Sequence, residues 1–228
     1  MDTETIVISL GGSLIIPNQL DVDFLKDFKK LILSQVEKGK KFLIITGGGK
    51  ICRKYQDAAK QVSDISNEDL DWIGIASLRL NAELLRTIFG DVAHSKVIFN
   101  LSEDFPFNKP IVIGAAYEPG QSTDWDAVLG AKHMNAKRVI NISNIDHVYD
   151  SDPKINPNAK KIEKISWQDY RELIPTEWNP GLNSPFDPIA SKMAEENGME
   201  VVIMNGKPID NLEKCLNGEK FQGTLIVN

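Results

Sequence analysis

Residues 5–12 read TIVISLGG and residues 41–49 read KFLIITGGG. Each is a short apolar run, rich in β-branched residues, that stops at a cluster of glycines. That pattern predicts two buried strands, each ending in a tight glycine turn. Between them, Val22, Leu25, Phe28, Leu31, Ile32 and Val36 recur in steps of three and four, which predicts a helix over 21–38 closed by Gly39. A helix is predicted from the second glycine turn to Lys60, and another from about Leu70 to Phe89.

The alternation continues to the end of the chain. Lys96–Phe99 and Pro110–Ile113 read as strands, Thr123–Asn135 as a helix and Arg138–Ile142 as a strand. Residues 151–164 are polar and proline-bearing, as in a surface loop or short hairpin. Asp187-Pro188 is a helix start, with Asp as N-cap and Pro in the first turn. That helix ends near Gly198, Glu200–Met204 is a strand, and a last helix precedes a closing strand at Thr224–Val227. Strands alternating with helices predict a three-layer α/β/α sandwich with a mainly parallel central sheet. Residues 1–228 read as one domain. A mild division near 135 separates a first glycine-rich part from a second.

Composition narrows the function. The chain has 228 residues, 42% hydrophobic and 25% charged, with 26 Lys+Arg against 32 Asp+Glu and a net charge of −6. A chain with that balance has no basic surplus for general binding to nucleic acid or to an anionic membrane. Cys52 and Cys215 lie far apart, with no CxxC and no paired histidine, so neither a disulfide scaffold nor a zinc site is expected. They read as reduced core thiols of a cytoplasmic protein. The acidic start Met1-Asp2-Thr3-Glu4 lacks the features of a signal peptide, and no run approaches the ~20 apolar residues of a membrane span.

Two common nucleotide motifs are absent. A Walker A loop needs GxxxxGK followed by Ser or Thr, but Ile51 follows Lys50 and the earlier spacing is wrong. The dinucleotide fingerprint GxGxxG is half matched by Gly47 and Gly49, with Cys52 in the third place. Two strands that both end in glycines suggest a different arrangement. Backbone amides approach phosphate closely where no side chain intervenes, and helix N-termini beyond such turns add positive potential. Two turns could grip two phosphorylated molecules on either side of a transferred group.

The residues of these turns, with later ones in order, resemble the amino acid kinase superfamily. The stretches are Ser9-Leu10-Gly11-Gly12-Ser13, Thr46-Gly47-Gly48-Gly49-Lys50, and 143–149 (SNIDHVY) with Asp152-Pro153. Within it the chain is most similar to the archaeal type of uridylate (UMP) kinase. Residues 48–55 (GGKICRKY), 71–75 (DWIGI), 79–82 (RLNA), 119–124 (PGQSTD) and 187–192 (DPIASK) support this. The similarity runs from about residue 5 to 226.

The resemblance implies a kinase that moves the γ-phosphoryl of ATP to UMP with Mg²⁺, in a cytoplasmic homohexamer built as a trimer of dimers. Residues 1–135 would form the acceptor-binding and oligomerisation part, and 136–228 the ATP-binding part. Gly11, Gly12 and Gly49 would meet the ATP phosphates, and Ser143, Asn144, Tyr149 and Asp152 the adenosine. Gly48 would meet the UMP phosphate, Asp71 the ribose, and the segment Tyr117, Glu118, Pro119, Gly120, Gln121, Ser122 and Thr123 the uridine. Lys192, Asp146 and Arg53 would be catalytic. Arg53, close to both nucleotides, offers a planar fork to phosphate oxygens, and Lys192 a compact point charge. No protein-held metal site is expected.

Three departures stand out. Many superfamily members carry a lysine two places before the first Gly-Gly, where this chain has Ser9. After the uridine loop, Thr-Thr-Asp-Ala is replaced by Ser122-Thr123-Asp124-Trp125-Asp126-Ala127, which leaves Asp124 and Asp126 as candidates for one carboxylate. Thr123 and Asp126 also have capping-box spacing. Ala115-Ala116-Tyr117-Glu118 replaces a glycine-rich lead-in, which bears on base selectivity. A kinase of the same fold on another small acid or phosphate, and a silent nucleotide-binding protein, are the alternatives. His94, His133 and His147 are scattered and suggest no catalytic imidazole. Trp72, Trp125, Trp167 and Trp178 read as packing.

Overall fold

The structure, a computed structural model, describes residues 4–177 and 184–228. The two opening runs are adjacent parallel strands, β1 (Thr5–Leu10) and β2 (Lys41–Thr46), in register from Thr5↔Lys41 to Leu10↔Thr46. Their glycine turns therefore emerge side by side. With β3 (Ile111–Gly114), β4 (Arg138–Ser143), β8 (Glu200–Asn205), β9 (Thr224–Val227) and β7 (Lys164–Ser166) they form a seven-stranded sheet. Its order is β3-β2-β1-β4-β8-β9-β7. All pairings are parallel except β8 with β9. The strand order reverses between β1 and β4, and open α/β sheets bind ligands at the carboxyl ends of strands at such a point.

The strands are buried on both faces, and their residues divide by alternation. Ile6, Ile8, Leu10, Phe42, Ile44, Ile140 and Ile142 face a core closed by α1 (Gly12–Ile15), α2 (Val22–Glu37), α4 (Asn67–Phe89) and α8 (Ile209–Leu216). Val7, Leu43, Ile45, Val139, Val201 and Ile203 face the other, closed by α5 (Thr123–His133), α6 (Trp167–Leu173) and α7 (Pro188–Glu196). This is the three-layer sandwich that the alternation predicted. The helix α3 (Gly49–Val62) lies outside both cores with no fully buried residue.

Several expectations need correction. Residues 96–99 form no regular strand; Ile98 makes one isolated bridge to Gly114, and an Asx turn in which Asn100 Oδ1 accepts from Ser102 N ends the segment. The helix expected from Leu70 starts at Asn67, because Ser66 Oγ accepts from Asp69 N and caps it. The polar stretch after 150 closes as the short hairpin expected there, of β5 (Val148–Tyr149) and β6 (Lys161–Ile162), but Lys164–Ser166, where no strand is predicted, joins the main sheet. Cys215 is a core thiol, whereas Cys52 is only half-buried on α3. Trp167 is core, Trp72 is exposed, and Trp178 lies outside the described residues. Among the described residues no helix is long and apolar enough to cross a membrane.

Candidate functional site

The two glycine turns pack backbone against backbone. A Cβ on Gly12 would lie 2.1 Å from Gly49 N and 2.5 Å from Gly47 O, and one on Gly49 would lie 2.3 Å from Gly12 O. No side chain fits there, and the starts of α1 and α3 meet backbone to backbone. Gly49 also holds φ +70, a left-handed conformation that only glycine adopts cheaply. Gly11 closes the other flank, donating to Ile142 O at 2.8 Å.

Helix α4 clamps the second turn. Buried Asn81 donates from Nδ2 to Gly47 O at 2.8 Å, and Thr46 Oγ1 donates to Leu78 O at 2.9 Å. The same helix holds the 117–120 segment. Asp71 Oδ2 accepts from Gly120 N at 3.0 Å, and Arg79 donates to the carbonyls of Ala116 and Tyr117 while lying over the Phe99 ring at 4.5 Å. Of the residues expected around one ligand, α4 thus supplies Asp71 and bonds to Gly48, Tyr117 and Gly120. The resemblance had marked 79–82 without assigning a role. A sequence signal existed, because Asn81 interrupts the apolar stripe Leu78–Ala82–Leu85, and a polar group on such a stripe needs a partner.

At the reversal point of the sheet, Asp124 ties three elements together. Its Oδ1 accepts from Ser9 Oγ at 3.1 Å and from Asn141 Nδ2 at 3.0 Å, and its Oδ2 accepts from the backbone N–H of Asp187 at 3.2 Å. Ser9 and Asn141 face each other across β1 and β4. Asp187 in turn caps α7 through Ala190 N at 2.7 Å. Of the two candidate carboxylates it is Asp124 that stands in this network. Burial pushes its carboxyl up to about 7; the Ser9 hydroxyl pulls it down and the charge of Asp187 pushes it up again.

Asp126 behaves differently. Ser122, not Thr123, is the N-cap of α5, accepting from Trp125 N at 3.1 Å, so the capping box suggested by Thr123 and Asp126 does not form. Asp126 is 2% exposed, and among the described residues its Oδ2 has no hydrogen-bond partner. Burial and then the Asp124 charge push its carboxyl up to about 7.

Just past the end of β4 lies a cavity of about 390 Å³, lined by Asn144, Asp146, Tyr149, Asp152, Leu173 and Ile174 among others. It brings together Asn144, Tyr149 and Asp152 as grouped from the sequence. Ser143 lies beside Gly11, where a Cβ would come within 3.3 Å of its own Cβ. Asp146 faces this cavity, is exposed, and accepts from Asn205 Nδ2 at 2.7 Å. His147 lies in the same wall; burial and then the nearby Lys161 hold its imidazole below its ordinary value, so it is neutral near pH 7.

The cations are less gathered. Arg53 is exposed on α3, one turn beyond Gly49, without a hydrogen-bond or ion-pair partner among the described residues. Lys192, on α7, has its Nζ 4.0 Å from Glu196 Oε1 and is largely exposed. Such an i,i+4 surface pair is worth about 0.3–0.5 kcal/mol, so leaving it costs little. Lys50 donates to Asn18 Oδ1.

An α/β sandwich with two glycine turns in backbone contact beside the strand-order reversal has the layout of phosphate-handling proteins. The sequence places the chain more closely: residues 4–205 match the model of the amino acid kinase family, and the chain belongs to that family. Similar proteins include a uridylate kinase of Thermococcus kodakarensis, 33% identical over 97% of this chain and 98% of the relative. A uridylate kinase of Methanococcoides burtonii is 36% identical over 92% of this chain and 91% of the relative. The crystal structure of uridylate kinase from Archaeoglobus fulgidus superposes with a TM-score of 0.83 at 32% identity, covering 97% of this chain and 99% of that one.

Proposed function

We propose that this protein is a nucleoside monophosphate kinase that transfers the γ-phosphoryl of ATP to UMP, giving ADP and UDP. The observation that carries this reading is the interlocking of the Gly11–Gly12 and Gly47–Gly49 turns. It sets the two turns in backbone contact at the ends of β1 and β2, with α4 holding the second turn through Asn81 and the 117–123 segment through Asp71. Full-length likeness to several uridylate kinases supports the choice of acceptor.

In this reading ATP lies with its base in the 390 Å³ cavity, against Asn144, Tyr149 and Asp152, and its phosphates on Gly11, Gly12 and Gly49. The phosphate of UMP rests on Gly48, its ribose on Asp71 and its base against Tyr117–Thr123. A phosphate oxygen of UMP attacks the γ-phosphorus in line, and the bond to the β,γ-bridging oxygen breaks, leaving ADP with the electron pair. The acceptor phosphate is already ionised near pH 7, so no side chain must remove a proton. What remains is alignment and charge neutralisation. Arg53 and Lys192 supply cations, with Lys192 turning from Glu196. Asp124 is a positioning residue that locks α7, and with it Lys192, onto the ends of β1 and β4. Asp146 orients groups at the ATP side from its bond to Asn205.

Among the described residues no group of three or more acidic, histidine or cysteine side chains is placed to cage a metal. Mg²⁺ enters with ATP as the substrate complex, since it binds chiefly through phosphates and water. The first part of the chain, to about 135, would bind acceptor and subunits, and the rest would bind ATP. Exposed Tyr55, Val62 and Leu80 on α3 and α4 support subunit contact there, within a hexamer made of dimers. The unbridged thiols suit a cytoplasmic protein of pyrimidine nucleotide synthesis.

The test is formation of UDP from ATP and UMP, beside CMP, acetylglutamate, carbamate and isopentenyl phosphate as competing acceptors. UMP should far exceed the rest. Binding of both nucleotides with Mg²⁺ and no UDP formed would overturn the kinase reading. It would favour a silent nucleotide-binding protein, for which Ser9 in place of a lysine is the motivating feature.

A further inference from the structure

We infer that Arg79 is a positioning residue for the acceptor nucleotide: it holds the chain just past β3 against α4, so that the acceptor meets a wall already in place. The inference rests on the acceptor side assigned under the proposed function and adds to it a residue that touches no nucleotide in that reading.

The first observation is where this segment finds its hydrogen bonds. β3 is an edge strand, and the last backbone tie beyond it is Ala115 N donating to Ile98 O at 2.9 Å. Residues 116–121 then make no backbone–backbone hydrogen bond among the described residues. Every hydrogen bond their backbone does make there runs to α4. Arg79 Nε donates to Ala116 O at 3.3 Å, Arg79 Nη2 to Tyr117 O at 3.0 Å, and Gly120 N to Asp71 Oδ2 at 3.0 Å. Asp71 and Arg79 stand about 12 Å apart along the helix, so the segment is fastened at both ends. A loop without such ties samples many conformations, and a ligand that needs one of them bears the ordering cost.

The second observation is how the guanidinium is used. Arg86, Arg138 and Arg171 are each paired with a glutamate. Arg79 is half-buried and has no carboxylate at ion-pair distance among the described residues. Its Cζ lies 4.5 Å from the centre of the Phe99 ring, and Phe99 itself packs against the core. One planar group thus serves two successive carbonyls and an aromatic face at once. An ammonium is a point charge on a flexible stem, so lysine cannot make all three contacts together. Because the bonds go to main-chain carbonyls, they fix the course of the chain and leave the exposed Tyr117 side chain to face the acceptor.

The test uses the full-length protein with Arg79→Lys, Arg79→Met and Phe99→Leu, the last removing the ring but not the hydrogen bonds. Amide hydrogen exchange of the 115–122 peptide is followed without nucleotide, and steady-state kinetics are taken with UMP and ATP varied in turn. Exchange of that peptide should quicken by at least about tenfold in both Arg79 variants, while the other peptides, unchanged, show the fold intact. KM for UMP should rise by about ten- to a hundredfold, with kcat and the KM for ATP within about twofold of wild type. The UMP-to-CMP ratio of kcat/KM should hold, since the tie is to main chain. Arg79→Lys should behave like Arg79→Met, and Phe99→Leu should fall between them and wild type. Unchanged exchange in all three, or quickened exchange with an unchanged KM for UMP, would overturn the role of Arg79. So would full recovery by lysine, which would make the charge responsible and not the planar fork, or an equal rise in both KM values. No UDP from wild type, with exchange behaving as expected, would overturn the proposed function instead.

Discussion

Replacing Asp126 by Asn should stabilise the protein, and the gain should grow with pH. The carboxyl ordinarily titrates near 3.8 and is pushed to about 7 in the fold by burial and the charge of Asp124. The folded state therefore holds a proton that the unfolded chain releases. For a group raised in this way, stability is fully present below about 3.8 and is lost as pH rises through the folded value near 7. The full loss is of order 4 kcal/mol above neutrality, and about 1–2 kcal/mol of it is already incurred at about pH 5. Asn carries no charge, escapes this loss, and leaves a neutral unpaired group much as the protonated acid does. The advantage of the variant should thus increase by about 2–3 kcal/mol between about pH 5 and about pH 8. In a chain of this length that corresponds to about 5–10 °C in melting temperature. Differential scanning calorimetry of both proteins at the two pH values gives the answer. An advantage equal at both, or a variant less stable than wild type at the higher pH, would refute the claim that Asp126 is enclosed without a partner.

Other outcomes follow from the site. Gly12→Ala puts a methyl 2.1 Å from Gly49 N, so the turns must part; melting should fall by several degrees and ATP affinity by more than about tenfold, read by calorimetric titration. Asn81→Ala removes the clamp on Gly47 O and should cost about 1–3 kcal/mol in denaturant unfolding, with a higher KM for UMP and little change for ATP. Lys192→Ala should depress kcat at least about a hundredfold while UMP binding holds, and wild-type turnover in that variant would remove Lys192 from the mechanism. Asp124→Asn, which keeps the shape but weakens acceptance from Ser9 and Asn141, should lower kcat more than it raises either KM in steady-state assays.

The elements that were legible in the sequence are those whose signals are local. β1, β2 and β4 are short apolar runs rich in β-branched residues, and α2 shows its apolar stripe and its stop at Gly39. The start of α7 at Asp187-Pro188 was legible for the same reason, because capping is decided within one turn. Residues 96–99 misled because an apolar run has the same look whether or not a partner strand offers a full ladder. Lys164–Ser166 was missed because three residues carry no period, and its pairing with β9 spans about sixty residues of chain.

At the site, the two glycine turns are legible in the sequence alone; the structure puts Asn144, Asp146, Tyr149 and Asp152 around one cavity and ties Asp71 to Gly120, while Arg53 and Lys192 stand apart on α3 and α7. Only the tertiary structure decided that the turns touch, because the approach of Gly12 to Gly49 depends on two strands aligned in register. Likewise Asp124 and Asp126 are equivalent by spacing, both acids in the first turns of one helix. A rotation of some 200° about that helix sends one toward Ser9 and Asn141 and encloses the other without a partner. Burial and partnership are properties of neighbours distant in sequence, which no local pattern encodes.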